Sequence, residues 1–164
     1  MKKSLVLGLG SNLGNRYYYI YLATQLLKKT FNSDVIVSNI YETAPWGNTN
    51  QSSFLNTAAV LSTSLDSKTC FKTIKEIEQH IGRKKGERWG PRSIDIDILF
   101  LEDEVSNQND VEIPHPRIAE RSFVLIPCAD IVPQFVHPKL HETLLELSSK
   151  VDNDCELFVK QIKP

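Results

Sequence analysis

The chain has 164 residues, of which 41% are apolar and 24% are charged. This length and composition are typical of one globular domain with a substantial core, and they exclude a disordered or fibrous chain. The net charge of −1 argues against a general nucleic-acid-binding protein, because nothing overall attracts a polyanion. We therefore expect a single domain over residues 1–164 that binds no nucleic acid.

The cysteines and the N-terminus favour a reducing cytoplasm. Cys70, Cys128 and Cys155 are far apart and lack C-x-x-C spacing, so they suggest neither a disulfide framework nor a zinc site. The apolar run Leu5–Leu9 is too short for a signal peptide, and no run approaches the ~20 apolar residues that cross a bilayer. We expect a cytoplasmic monomer without membrane contact.

The first elements are a strand and a helix. The run Leu5–Leu9 predicts a buried strand, and the glycines from Gly8 to Gly14 indicate a turn after it. That glycine segment lacks the spacing of a dinucleotide fingerprint and the lysine of a P-loop. From Asn15 to about Lys29, apolar residues at helical spacing predict the first helix.

Two further strands and a second helix follow. β-branched residues from Val35 to about Thr43 predict one strand, and the run Phe54–Thr63 predicts another. Asn56 lies inside that second run, where a polar side chain needs a partner. Ser67 is expected to cap a helix that ends at Gly82.

Residues 94–98 alternate strictly between isoleucine and aspartate, which predicts a strand with two different faces. The isoleucines then enter a core, while Asp95 and Asp97 share the other face with Cα atoms roughly 6.6 Å apart. Two adjacent carboxylates on a strand repel each other, so their presence favours a bound cation. The plainer interpretation is an edge strand whose aspartates face water.

The segment before this strand is basic and carries Gly82, Gly86 and Gly90, which predicts a loop. A cationic loop next to two aspartates suits a magnesium polyphosphate, because the acids hold the metal and the cations hold phosphate oxygens. A solvated charged loop is the plainer interpretation. Its cations are Arg83, Lys84, Lys85, Arg88 and Arg92.

The order strand, helix, strand, strand, helix, strand predicts a ferredoxin-like split βαβ sandwich, an α+β fold with helices on one face of a mainly antiparallel sheet. Beyond it, Pro116 favours the start of a third helix that runs through Phe123 and breaks near Pro127. A short helix is expected at about residues 140–148, and the tail is expected to add an edge strand.

Three separated motifs resemble the family of 6-hydroxymethyl-7,8-dihydropterin pyrophosphokinases, which act in folate biosynthesis. They are residues 10–14 (GSNLG), residues 87–97 (ERWGPRSIDID) and residues 114–117 (PHPR), the last followed by Arg121 and Phe123. The likeness covers the chain from Leu5 to about Ser148. It implies a ferredoxin-like α+β fold that transfers the diphosphate of ATP to the hydroxymethyl group of a reduced pterin, releasing AMP, with two Mg²⁺ ions.

The resemblance also implies roles by motif position. Asp95 and Asp97 are similar to the ligands of both metals, and Arg83 and Arg92 to the cations that stabilise phosphate. Thr43, Asn56 and Phe123 match pterin-contacting positions. From the residues themselves, Trp46 and Phe54 are also expected to contact the pterin, with its flat ring stacked between Phe123 and Trp46 and the amide of Asn56 on its polar edge. The positions that match ATP contacts of the family are Glu78, Trp89, Ile98, His115 and Arg121. The basic-loop residues Lys85 and Arg88 are also expected to bind ATP.

Some positions depart from the family pattern. Residues 44–47 read APWG where many members have a Pro-Pro-Leu-Gly run, Phe54 replaces a common tyrosine, and Pro116 stands where some members have tyrosine. The basic loop is one residue shorter than in some members, so either Lys84 or Lys85 takes the role of its second cation. None of these changes removes charge from the expected site.

Two other classes of function remain open from the residues. A ferredoxin-like RNA-binding module would use the basic loop for phosphates, but it needs aromatic residues on the central strands, where this chain has Asp95 and Asp97. A metal-dependent phosphohydrolase could use the same acid pair, and it would hydrolyse ATP without a pterin.

Overall fold

The computed structural model describes residues 1–47, 49–82, 92–108 and 110–159. Its strands are β1 (Lys3–Ser11), β2 (Ile36–Val37), β3 (Ile40–Thr43), β4 (Phe54–Thr63), β5 (Asp95–Leu101), β6 (Ser106–Gln108), β7 (Val111–Ile113) and β8 (Glu156–Val159). Its α-helices are α1 (Arg16–Phe31), α2 (Ser67–Ile81), α3 (Ser122–Ile131) and α4 (Leu144–Ser149), and a 3-10 turn spans Ile118–Glu120. None of these helices is long and apolar enough to span a membrane.

The main sheet is antiparallel throughout, with strand order β5-β1-β4-β3-β8 and with β2 paired to β4. β6 and β7 form a separate hairpin. The predicted order of the first six elements and the antiparallel α+β sandwich are confirmed. The tail does add an edge strand, because β8 pairs with β3.

The helices of the predicted split βαβ unit, α1 and α2, lie together on one face of the sheet as expected, and the later helices α3 and α4 cover the other face. On one face, α1 and α2 pack against alternate residues of β1, such as Leu5 and Leu7. On the other face, α3 and α4 bury Val6 of the same strand together with Phe100 of β5. Because successive side chains of a strand point to opposite faces, β1 contributes to both hydrophobic clusters.

The strand expected from Val35 to Thr43 is divided into β2 and β3. At the division, the Ser38 side chain accepts a hydrogen bond that a strand carbonyl would otherwise accept. Its Oγ accepts from the Ala58 N–H of β4 at 2.8 Å and lies 2.8 Å from Thr57 Oγ1. The partner strand β4 therefore keeps its hydrogen bonds although the regular pairing is interrupted.

Several element boundaries differ from the sequence predictions. β1 continues to Ser11, so Gly8 and Gly10 lie in a strand rather than a turn, and the left-handed backbone occurs at Gly14 (φ 67°). Asp66, not Ser67, caps α2, because its carboxylate accepts a hydrogen bond from the Thr69 N–H at 2.7 Å. The end of α2 at Gly82 is as predicted.

The C-terminal helices also begin later than expected. α3 starts at Ser122, well after Pro116, and continues through Pro127 instead of breaking there. Proline removes one helical hydrogen bond, but Pro127 is buried with Leu125 and Cys128, and this apolar packing compensates. α4 starts at Leu144, where Thr143 and Glu146 form a capping box that satisfies the first N–H groups.

Candidate active site

A cavity lies on the α3 side of the sheet. One wall is formed by β1, β4 and β5, and the other by the segment that joins β3 to β4 and by the start of α3. It brings together residues that are far apart in the sequence. Its lining includes Gly8, Gly10, Thr43, Trp46, Phe54, Asn56, Arg92, Asp95, Asp97, Arg121 and Phe123. Nine of the predicted site residues are in this set.

The acid pair lies on β5 opposite two glycines of β1. Gly10 pairs with Asp95 and Gly8 pairs with Asp97. Directly opposed residues of an antiparallel pair project to the same face, so the glycines leave space beside the carboxylates that larger residues would fill. Ile94, Ile96 and Ile98 are buried on the other face, as the alternation predicts.

The two aspartates have different electrostatic surroundings. Arg92 Nη1 lies 3.0 Å from Asp95 Oδ2, and both side chains are largely buried. Burial and, next, the neighbouring Asp95 carboxylate raise the pKa of Asp97 well above its usual range, while the charges of Lys75 and Arg121 oppose that rise. The ionised form of Asp97 is therefore destabilised in this environment, and a cation bound beside the two carboxylates would stabilise it.

Asn56 and Thr43 form the polar wall of the cavity. Asn56 Nδ2 donates a hydrogen bond to Thr43 Oγ1 at 2.6 Å, and both side chains are buried. A Cβ atom at Gly10 would lie 2.8 Å from Asn56 Oδ1, closer than real contacts allow. Glycine at position 10 therefore lets the amide of Asn56 lie against β1.

The aromatic wall includes an arginine that the sequence did not place there. The Arg121 guanidinium carbon lies 4.5 Å from the ring centre of Trp46 and 5.6 Å from that of Phe123. Arg117 also lies over Trp46, at 5.3 Å. Cation–π attraction at these distances holds Arg121 beside the two rings between which a pterin was expected to stack.

A second cavity lies on the other side of Asp97, between α2, β5 and β7, and includes Lys75, Ile98 and His115. Burial and the charge of Arg121 lower the pKa of His115 to about 4, so its ring is neutral at pH 7. His115 Nδ1 accepts a hydrogen bond from the Arg117 N–H at 3.3 Å, which leaves Nε2–H as the donor. Ile98 is buried in the core and also borders this cavity.

Glu78 points at the backbone of β5. Its Oε1 accepts a hydrogen bond from the Ile96 N–H at 2.7 Å, and its Oε2 accepts one from Lys75 Nζ at 3.0 Å. The basic loop residues Arg83, Lys84, Lys85, Arg88 and Trp89 lie outside the described residues. Their expected roles remain predictions.

Asn12 is a structural residue of the site that the sequence analysis did not single out. Its Nδ2 donates to Gln51 Oε1 at 2.8 Å, its Oδ1 accepts from the Arg92 N–H at 2.8 Å, and its own N–H donates to Arg92 O. It ties Arg92 to the chain before β4. Its position in the GSNLG motif was the available signal, but its partners are 39 and 80 residues away.

Comparisons with known proteins agree with these features. A family model described as 7,8-dihydro-6-hydroxymethylpterin-pyrophosphokinase (HPPK) matches residues 6–133. A protein of Aquifex aeolicus named 2-amino-4-hydroxy-6-hydroxymethyldihydropteridine pyrophosphokinase is 40% identical over 155 residues, which cover 94% of this chain and 95% of the relative. A Bacillus subtilis protein of the same name is 41% identical over 135 residues, covering 82% of this chain and 81% of that protein.

A solved structure described as Plasmodium falciparum HPPK-DHPS wild type with pteroate has the same fold. Its TM-score is 0.74 at 17% identity, and the match covers 92% of this chain. This chain spans 42% of that longer chain. The family model covers most of this sequence, and the two relatives match it over 95% and 81% of their own lengths. This chain therefore belongs to the 7,8-dihydro-6-hydroxymethylpterin-pyrophosphokinase family.

Proposed function

We propose that this protein transfers the diphosphate of ATP to 6-hydroxymethyl-7,8-dihydropterin and releases AMP, a step of folate biosynthesis. Relatives at about 40% identity carry the name of this activity. The observation that carries the proposal is one cavity with two chemically different ends: Asp95, Asp97 and Arg92 at one end, and Asn56 with the aromatic residues at the other.

The acid end fits divalent metal. Mg²⁺ is commonly held by one or two carboxylates, with water and phosphate oxygens completing its coordination, so a third acid is not required. Burial and the Asp95 charge raise the pKa of Asp97, which means that a cation stabilises the ionised pair. We propose that Asp95 and Asp97 hold two Mg²⁺ ions. Bound Mg²⁺ neutralises charge on the polyphosphate and orients its oxygens.

The polar and aromatic walls bind the pterin. Asn56 offers a donor and an acceptor to the amide edge of the heterocycle, and Thr43 fixes the orientation of Asn56 through their 2.6 Å hydrogen bond. Phe54, Phe123 and Trp46 provide flat apolar surface for the ring. These contacts direct the hydroxymethyl group toward the acid end.

In the transfer, the hydroxymethyl oxygen bonds to the β-phosphorus, and the bond from that phosphorus to the oxygen of the α-phosphate breaks. AMP leaves, and the hydroxyl proton passes to solvent. Arg92 and Arg121 stabilise the charge that develops on the phosphate oxygens, a role in which one arginine contributes roughly 10³ to 10⁵ in rate. Phosphate competes with Asp95 for Arg92, which forms an ion pair with this carboxylate in the structure.

The nucleotide occupies the side of Asp97 that includes His115. Because His115 is neutral at pH 7, it donates a hydrogen bond from Nε2–H without adding charge. Lys75 supplies a cation at the same cavity. The loop cations Arg83, Lys85 and Arg88, together with Trp89, complete this proposed ATP site from the segment between α2 and β5.

Product analysis tests the proposal. Purified protein is incubated with ATP, Mg²⁺ and 6-hydroxymethyl-7,8-dihydropterin, and the products are separated and weighed by mass spectrometry. We expect equimolar AMP and a pterin that carries two additional phosphate groups. ADP as the nucleotide product, or ATP hydrolysis that does not need the pterin, would refute the proposal.

Two aspartate variants make this assay specific. Asp97→Asn is expected to abolish the transfer because it removes a carboxylate charge from the acid pair. Asp103→Asn changes the same residue type in an exposed turn just after β5 and is expected to retain wild-type turnover. Equal activity of the two variants would show that the acid pair is not the metal site.

We also propose that the chain acts as a single-domain monomer in the cytoplasm. One sheet packs against both hydrophobic clusters, which supports a single domain. The three cysteines are free, as is usual in a reducing compartment. Sedimentation at a mass near 18.6 kDa in solution would support the monomer, and about twice that mass would contradict it.

A further inference from the structure

Glu78 holds the strand that carries the acid pair at the point between the two aspartates. It lies in α2, and its relative exposure is 2%. Its Oε1 accepts the Ile96 N–H at 2.7 Å, and its Oε2 accepts Lys75 Nζ at 3.0 Å. Both carboxylate oxygens thus have donors from this chain, and one of these donors is the backbone amide between Asp95 and Asp97.

The position of β5 in the sheet explains why this amide needs a side-chain partner. Within the described ranges, β1 is the one strand neighbour of β5. Along an antiparallel strand, N–H groups alternate between the two sides, so an edge strand directs every second N–H away from the sheet. The Ile96 N–H is such a group, and α2 covers it with Glu78.

A buried N–H that loses its acceptor carries a large free-energy cost. The cost is avoided when the strand shifts toward another acceptor, and that shift would move the residues on either side of Ile96. Asp95 and Asp97 are those residues. Their spacing therefore depends on a hydrogen bond made by a helix on the opposite face of the sheet.

We propose that Glu78 is a positioning residue: it anchors the β5 backbone at Ile96 and so sets the geometry with which Asp95 and Asp97 bind metal. This proposal rests on the proposed function for its catalytic consequence. It differs from the role that family resemblance implies, in which Glu78 contacts ATP, because here Glu78 acts through the strand. Lys75 balances the buried charge of Glu78.

Two substitutions separate the acceptor from the charge. Glu78→Gln keeps an oxygen that can accept the Ile96 N–H but removes the charge. Glu78→Met keeps the length and the unbranched shape but removes the acceptor, and Glu78→Ala replaces it if the methionine variant does not fold. Glu76, which is exposed on the same helix, provides the matched controls Glu76→Gln and Glu76→Met.

Amide hydrogen exchange by NMR in ligand-free protein gives the first measurement. Loss of a charge-assisted hydrogen bond should speed exchange of Ile96 by about 10- to 100-fold. We expect that increase for Glu78→Met, measured relative to Leu7 in β1, whose exchange reports any general loss of stability. Glu78→Gln and both Glu76 variants should stay within about threefold of wild type.

Mn²⁺ binding by electron paramagnetic resonance, with a non-hydrolysable ATP analogue present, gives the second measurement. Glu78→Met should weaken Mn²⁺ binding by about tenfold or more, whereas Glu78→Gln should largely retain it. Nucleotide affinity without divalent metal should not fall in any variant, because Glu78 is not placed to contact ATP directly and its removal leaves Lys75 available to phosphate.

Three outcomes would overturn the proposal. Unchanged relative exchange of Ile96 in Glu78→Met would show that the hydrogen bond does not hold the strand. Equal loss of Mn²⁺ binding in the glutamine and methionine variants would indicate a role for the charge itself. Weaker metal-free nucleotide binding in both would indicate direct contact with ATP. Hydrogen exchange, Mn²⁺ binding and nucleotide binding do not require enzyme turnover. They therefore test the role of Glu78 even if the product assay yields no AMP.

Discussion

Gly10→Ala should disturb the pterin end of the cavity through one misplaced methyl group. The added Cβ would lie 2.8 Å from Asn56 Oδ1 and 3.6 Å from a ring carbon of Phe54. Because the first distance is shorter than real Cβ contacts, the Asn56 side chain must move. Its movement breaks the 2.6 Å hydrogen bond from Asn56 Nδ2 to Thr43 Oγ1.

The expected size of the effect follows from that buried hydrogen bond. Leaving buried polar partners unpaired costs about 1–3 kcal/mol, since Asn56 and Thr43 are both almost inaccessible to water. In a protein of this size, each kcal/mol lowers the melting temperature by roughly 2–4 °C. The pterin also loses an oriented amide, and we expect its KM to rise by about tenfold, the equivalent of ~1.4 kcal/mol.

Gly8→Ala is the matched control for the stability measurement. It makes the same change in the same strand, but its Cβ would meet Leu99 side-chain atoms at 3.5 Å or more, an ordinary contact. Calorimetry should show a melting temperature near that of wild type for Gly8→Ala and a clear decrease for Gly10→Ala. Equal melting temperatures of the two variants, with an unchanged pterin KM for Gly10→Ala, would refute the reasoning.

Two further predictions concern charge. In metal-free protein, the raised pKa of Asp97 means that the native state binds the Asp97 proton more tightly than the unfolded state does. The contribution of Asp97 to the free energy of unfolding is therefore present at low pH and is lost as pH rises through the raised pKa. Asp97→Asn should remove that fall in urea titrations between pH 4 and 8, and an unchanged pH dependence would contradict the assignment. Trp46→Leu removes the ring beneath Arg121. Because a cation–π contact contributes about 0.5–2 kcal/mol, the KM for ATP should rise about 2- to 30-fold. A KM for ATP equal to that of wild type would show that Trp46 does not position Arg121.

The sequence correctly predicted the structural features that depend on short-period residue patterns. The alternation of Ile94, Ile96 and Ile98 with two aspartates predicted both the strand and its two faces. The run Phe54–Thr63 matches β4 from end to end, and Gly82 ends α2. These features depend on which face of one element is buried and on one backbone conformation, so local residues are sufficient to indicate them.

Boundaries that depend on packing were not predictable in this way. Pro127 breaks an isolated helix, but in the folded chain its neighbours Leu125 and Cys128 are buried against the sheet, and this burial outweighs the lost hydrogen bond. Serine is a favoured residue at a helix N-cap, but the residue at the N-cap position of α2 is Asp66 rather than Ser67. Local preferences of this kind are weak and yield to tertiary contacts.

The sequence by itself determined the chemical groups of the site: the acids and arginine of the ERWGPRSIDID motif, the amide of Asn56, and the family to which the motifs point. The tertiary structure decided how those groups meet. Gly10 opposite Asp95, Arg121 against Trp46, and Glu78 at the Ile96 amide all join residues brought together by strand pairing and helix packing. Such contacts depend on the position of whole elements, which hydrophobic burial on two faces of a sheet sets and which no local pattern contains.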